Sequence, residues 1–232
     1  MIGAATVLGA LGAGAIGAYY PNAWLFGSVI GRGSPASRDL YLTFDDGPNP
    51  AATDRILAVL AEEQVPAAFF VVGEHVRRFP DVARRVRAAG HEIGNHTDHH
   101  VKLHRRGPAR IRTELSAAHR TIVDQIGIAP RMFRAPHGYR NPFVGAATRR
   151  LGYRTIGWTF GVWDSDRPGA DQIRTRTRKH LRPGAIILLH DGDGADPLGD
   201  RHQTADALPG IIRDARDLGY TFRPLGALLD LR

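Results

Sequence analysis

The sequence predicts an α/β fold, a distorted and slightly short (β/α)7 TIM-like barrel that follows an apolar N-terminal segment. Three observations predict it. Short apolar runs alternate with amphipathic helical patterns from Asp39 onward, and such alternation places parallel strands beneath covering helices. Proline stands where helices would begin (Pro108, Pro168) and glycine where they would end (Gly90, Gly152, Gly219). The polar residues best suited to chemistry follow the apolar runs, at the C-terminal strand ends where parallel barrels keep their sites.

The strand candidates, in order, are Leu40–Phe44, Ala67–Val72, Glu92–Gly94, Met132–Phe133, Tyr153–Trp158, Ala185–Leu189 and Tyr220–Phe222. Most are near-continuous apolar runs, as expected of strands covered on both faces. Helical periodicity fills the intervals: Ile56, Val59 and Leu60 share one face, as do Val82 and Val86. Leu115, Ile122 and Ile126 mark a longer helix, and Ile173 and Leu208–Leu218 mark two later ones.

The first 31 residues read differently. No charged side chain precedes Arg32, and Ile2 to Tyr20 is almost wholly apolar. A span of about 20 apolar residues can cross a bilayer, and Tyr19, Tyr20 and Trp24 suit its interface. Gly9, Ala13 and Gly17 form a small-residue face fit for helix pairing in lipid. A cleaved signal peptide competes with the anchor, with Ala13-Gly14-Ala15 as a cleavage site but no positive leader. A leader packed on the domain is the third reading. The expected organisation is residues 1–31 as an anchor or signal-like segment, 32–38 as a linker and 39–232 as the catalytic domain. Membrane association through residues 2–20 would make the protein membrane-anchored or extracytoplasmic.

The chain has 232 residues and no cysteine, which excludes disulfides and thiolate metal sites. Its net charge is +8, but the arginines are scattered and no nucleic-acid motif accompanies them. No nucleic-acid partner is expected, and a monomer is.

The chemistry concentrates in four segments. Thr43-Phe44-Asp45-Asp46-Gly47-Pro48 puts two carboxylates at the end of a strand. His96-Thr97-Asp98-His99-His100 supplies imidazoles at i and i+4. One carboxylate and two imidazoles make a three-ligand set for a divalent metal with positions left for water. The other carboxylate is then free to act as a base beside that water. His99 and His104 read as surface or groove residues, and His91 as structural. Arg134-Ala135-Pro136-His137-Gly138 offers a cation to hold a carboxylate, and backbone N–H groups for an oxyanion. Leu188-Leu189-His190-Asp191 ends a buried strand in a histidine that can act as an acid if a carboxylate such as Asp164 raises its pKa. Taken singly, each has a bland reading: a solvated acidic turn, a surface arginine, a core histidine.

Together the segments resemble the polysaccharide deacetylases of the NodB-homology type, carbohydrate esterase family 4. TFDDGP, HTDHH, RAPHG and LLHD match that family's motifs in order, and the resemblance runs from about Tyr41 to Leu225. It implies the barrel and a bound divalent metal, zinc first, with cobalt or nickel as alternatives. It implies Asp46, His96 and His100 as metal ligands, Asp45 as general base oriented by Arg134, and His190 as general acid. The backbone N–H of His137 would complete the oxyanion site. The remaining family motif, an Asp-Trp pair, departs from the pattern in Trp163-Asp164-Ser165-Asp166. Asp164 matches by spacing as the residue that tunes His190, with Asp166 as rival, and Trp163 would fill the groove wall. The implied reaction removes acetyl groups from N-acetylated sugars of a polysaccharide such as peptidoglycan or a chitin-like glycan. Acetyl-xylan O-deacetylation or cyclic-amide hydrolysis is the alternative within the superfamily, and an inactive glycan-binding module the alternative outside enzymes.

Overall fold

A computed structural model describes residues 14–230. A short helix, α1, covers residues 14–19. There follow β1 (Val29–Ile30), β2 (Asp39–Asp45), α2 (Pro50–Glu62), β3 (Ala67–Val71), α3 (Gly73–Arg78), α4 (Pro80–Ala88) and β4 (Glu92–Asn95). The chain continues through α5 (Pro108–Ile126), β5 (Met132–Phe133), α6 (Pro142–Arg150), β6 (Arg154–Ile156) and β7 (Phe160–Gly161). It ends with α7 (Ala170–His180), β8 (Ala185–His190), α8 (His202–Asp217) and β9 (Thr221–Phe222).

The strands are all parallel, in the order β1-β6-β5-β4-β3-β2-β8-β7, with β9 beside the start of β2. The sheet curls because its β1 end returns to β8: Arg32 bridges Ala185, and Thr159 donates from its hydroxyl to the Gly31 carbonyl and from its backbone to Ile186. This is the distorted (β/α)7 barrel.

Alternation along the strands explains where the site lies. In β2, Leu40, Leu42 and Phe44 face the helices, where they pack with Phe69, Ile56, Leu60, Leu208 and Ile211. Tyr41 faces inward with Ala68, Phe70, Met132, Ile156 and Ile186. Successive side chains point to opposite faces, so Thr43 and Asp45 share the inner face with Tyr41. In β8, Ile187 and Leu189 go outward, which leaves Ile186, Leu188 and His190 inside. Burying each large apolar side chain contributes roughly 1.5–3 kcal/mol, so the outer layer fixes the register and the register fixes the inner mouth.

Helix starts follow local chemistry. Asn49 caps α2 by accepting from the N–H groups of Ala51 and Ala52, and Pro50 takes the first helical position. Gly127 ends α5 in the left-handed region at φ 73°, open to a residue without Cβ.

Two strands lie outside the expected seven. β1 and β7 have two residues each, too short to show a period. The expected strand Tyr153–Trp158 shortens to Arg154–Ile156, after which the chain crosses toward β8.

Contacts cross the expected boundaries at residues 31 and 38. Residues 18–31 are part of the barrel's packing. Arg140 donates through its backbone to the Ala18 carbonyl and through its side chain to Ala23, Asn22 donates to the Trp158 carbonyl at 2.8 Å, and β1 pairs with β6. Arg32 likewise joins the sheet through its bridge to Ala185 instead of lying in a free linker. Ala23 is buried against the domain, whereas Tyr20 and Trp24 remain exposed. Most of the stretch expected to meet the membrane, residues 1–13, lies outside the described residues. Among the described residues no helix is long and apolar enough to cross a membrane.

Candidate active site

A groove of about 660 Å³ opens at the C-terminal ends of the strands. Its lining includes Asp45, Asp46, His96, His100, Trp163 and His190. These residues come from loops far apart in sequence and meet because β2 lies between β3 and β8.

Asp46 sits in the left-handed region at φ 77°, which turns its carboxylate away from that of Asp45. Its Oδ1 lies 3.0 Å from His100 Nε2 and 3.2 Å from His96 Nε2. The three ligand atoms fall within 4.8 Å of one another, and all three residues are buried or nearly so. His96 Nδ1 lies 2.9 Å from the Arg134 carbonyl oxygen and must donate to it. Its Nε2 is then a bare lone pair aimed at a carboxylate oxygen. Asp46 Oδ1 is buried and receives no hydrogen bond. Two acceptors facing each other at this range repel unless a cation lies between them, so the set fits a divalent metal of the kind imidazole and carboxylate share.

Asp45 points at the same mouth and is held by Arg134. Nη1 of Arg134 donates to Asp45 Oδ1 at 2.7 Å and to Thr43 Oγ1 at 2.8 Å, while Nη2 donates to the Gly157 carbonyl at 2.9 Å. Arg134 is fully buried, and its guanidinium lies 4.2 Å from the centre of the Phe70 ring. A buried, hydrogen-bonded arginine of this kind fixes a carboxylate's direction.

His190 faces the pair from β8. Asp164 Oδ1 lies 2.9 Å from its Nδ1, and Asp164 Oδ2 accepts from its backbone N–H at 2.8 Å and from Thr204 Oγ1 at 2.9 Å. Burial works against the imidazolium, but Asp164 outweighs it, and with Asp46 and Asp45 pushes the His190 pKa up to about 9. Asp166, the rival tuning residue, is exposed.

His137 has φ 57° after the Pro136 turn, and its ring lies 4.9 Å from that of His100, tilted by 57°. Trp163 is 70% exposed at the groove rim. His99 is half-exposed and bound to Glu114, whereas His104 packs between Tyr19 and Tyr139, away from the ligand set.

Several supporting residues are invisible in the motifs. Glu114, wholly buried in α5, accepts from the backbone of Asp98 and His99 and so shapes the histidine loop. Asp191 accepts from Gly47 N–H at 3.1 Å and from Thr53 Oγ1 at 2.6 Å, which pins the turn after Asp46; burial pushes its carboxyl up to about 7. Gly192 passes so close to the Asp46 carbonyl that a Cβ would collide with it. His75 donates to that same carbonyl from the other side. A mid-helix Glu, or a His outside every motif, carries no local mark in sequence. Asp191 was legible as part of LLHD without a role.

The family model described as polysaccharide deacetylase matches residues 32–156. A chitooligosaccharide deacetylase from Bradyrhizobium sp. (strain ANU 289) is 39% identical over 88% of this chain and 94% of its own. A peptidoglycan-N-acetylglucosamine deacetylase from Bacillus cereus is 33% identical over 82% of this chain and 87% of its own. Among solved structures, a CE4 family pseudoenzyme from Bacillus anthracis superposes with a TM-score of 0.80 at 28% identity, covering 88% of this chain and 69% of that one.

Proposed function

This chain belongs to the polysaccharide deacetylase family, and from that premise we propose that it hydrolyses the N-acetyl group of N-acetylglucosamine units in a chitin-like oligosaccharide or in peptidoglycan. The observation that carries the reading is the meeting of Asp45, the Asp46/His96/His100 set and His190 in one groove.

Asp46, His96 and His100 would hold a zinc ion. When bound, the ion supplies a Lewis acid for the acetyl carbonyl and lowers the pKa of a water. The other steps belong to the protein. Asp45, aimed by Arg134, takes the proton of the attacking water. The backbone N–H of His137 donates to the oxygen that gains charge as the carbonyl becomes tetrahedral. His190, protonated at neutral pH because Asp164 sits against it, gives its proton to the sugar nitrogen as the C–N bond breaks. Acetate and a free amine result. An amide nitrogen leaves poorly without that proton, so the acid belongs to amide chemistry more than to ester chemistry. Trp163, at the rim, offers a flat apolar face for a sugar ring.

The part of the uncharged stretch of residues 2–20 that precedes the barrel contacts at Ala18 would hold the enzyme at the outer face of a membrane, where a cell-wall glycan is met. The test of function is acetate release from chitooligosaccharides, peptidoglycan and acetyl-xylan by the zinc-loaded protein. Release from the two N-acetylated polymers supports the reading. Release from acetyl-xylan alone replaces it with an O-deacetylase, and glycan binding without release replaces it with a binding module.

A further inference from the structure

Helix α3 has only 6 residues and no contact with the groove, yet it touches both loops that carry the ligand set. On one side it holds the turn after β2. His75, 2% exposed, donates from Nδ1 to the Asp46 carbonyl at 2.8 Å, and the N–H of Val72, just before the helix, donates to the Gly47 carbonyl at 2.9 Å. On the other side it holds the histidine loop. The N–H groups of Gly73 and Glu74 donate to the carbonyls of Thr97 and Asp98 at 3.0 and 2.9 Å. Arg77 grips the Asp98 carboxylate with both nitrogens, at 2.6 and 3.1 Å, and Thr121 Oγ1 at 2.9 Å.

The two loops need such a bracket. Asp46 is held in a left-handed conformation that an aspartate adopts at a cost, and Thr97 and His100 are too, at φ 71° and 52°. Strained residues keep their geometry only where surrounding contacts over-determine it. A carboxylate from one loop and two imidazoles from another converge on one point only if the loops are in register. Outer contacts of this kind are worth about 10- to 100-fold in metal affinity.

We propose that α3 sets the register of the two metal-holding loops, with His75 and Arg77 as positioning residues acting through Asp46 and through the 96–100 loop. The proposal rests on the reading of Asp46, His96 and His100 as the metal-holding set. It concerns affinity for the ion and assigns α3 no part in proton transfer.

The test is competitive zinc titration against a chelating dye, with the visible spectrum of the Co²⁺ form and the melting temperature of the metal-free protein alongside. His75→Asn keeps an N–H donor at the position of Nδ1, and His75→Leu removes it. The Asn variant should bind zinc within about 3-fold of wild type, and the Leu variant about 10- to 100-fold more weakly with an altered Co²⁺ spectrum. Arg77→Met, on a side chain that reaches solvent, should also lose about 10-fold. The double variant His75→Leu/Arg77→Met should fall little below the weaker single one, because one register is lost only once. Equal zinc affinity in the Leu and Asn variants, or losses that multiply fully in the double variant, overturns the proposal. If His75→Leu does not fold, Arg77→Met decides alone: affinity within 2-fold of wild type overturns the proposal. A wild-type protein that binds no zinc overturns the ligand set and this proposal with it; wild-type binding with unaffected variants overturns this proposal only.

Discussion

Asp164 grips His190 at two points, accepting from the ring Nδ1 at 2.9 Å and from the backbone N–H at 2.8 Å. The second bond fixes where the carboxylate sits, so the first cannot drift. The imidazolium is favoured by a fixed partner, and the free Nε2 side is left for the substrate.

A pH profile follows from this pair. An acid with a pKa of about 9 is protonated below that value, so amide turnover should hold through neutral pH and fall as pH rises through about 9. Asp164→Asn removes the charge that stabilises the imidazolium. The alkaline limb should then move to lower pH, toward the ordinary imidazole range. Initial rates of acetate release from pH 6 to 10 check both curves, and an unmoved limb in the variant assigns it to another group.

His190→Ala should cost about 10²- to 10⁴-fold on an N-acetylated oligosaccharide, the usual worth of a positioned acid. On an activated aryl acetate the loss should be far smaller, because a phenolate leaves without a proton. Equal losses on both substrates would make His190 a structural residue.

Asp45→Asn should lower turnover by about 10²- to 10⁴-fold while zinc stoichiometry stays at one. The asparagine keeps the shape that Arg134 holds but cannot take a proton from water. Metal analysis and steady-state rates on the same preparation separate the two effects, and loss of zinc would move Asp45 into the ligand set.

Replacing His96 or His100 with Ala should abolish most turnover and weaken zinc binding, since each removes one of three donors. A chelator should inactivate the wild-type enzyme, and zinc or cobalt should restore it. Full activity in metal-free protein would remove the ion from the reaction.

Truncation should distinguish two parts of the N-terminal stretch. A protein beginning at residue 14 should fold, turn over soluble oligosaccharides normally and partition less into the membrane fraction. Removing residues 1–31 should lower the melting temperature, because β1 leaves β6 and the Arg140 guanidinium loses its acceptor on Ala23. A buried donor left unpaired costs about 1–3 kcal/mol. Equal melting temperatures for the two truncations would show that residues 14–31 contribute nothing to the barrel.

The sequence reading and the structure agree wherever a residue's chemistry and its neighbours share a short segment. Asp45, Asp46, His96, Arg134 and His190 stand at or just after strand ends, His100 follows His96 in the same loop, and all meet in the groove or directly beneath it. Asp164 was separable from Asp166 only by spacing; burial against His190 separates them in space. The supporting residues were not legible. Glu114 sits among helix residues that look solvent-facing, and its burial depends on a loop 15 residues upstream. His75 follows a strand by a few residues but belongs to no motif, and its partner is a backbone atom, which sequence does not name. β1 failed for a related reason. It has two residues, too few to show a period, and lies in an uncharged stretch that also suits a bilayer.

The placement of β2 bears on how the chain reaches this state. The central strand is made early, yet one of its long edges is covered by β8, with Thr43 donating to Ile187 across 144 positions. Until that partner arrives, an apolar strand keeps an unpaired edge, a template for pairing with other chains. Non-local parallel pairing of this sort folds slowly. Asp46, His96 and His100 can approach one another once β4 is in place, whereas His190 arrives only with β8. Asp191, which pins the turn after Asp46, arrives with the same strand, so the ion-holding loops and the acid are completed together.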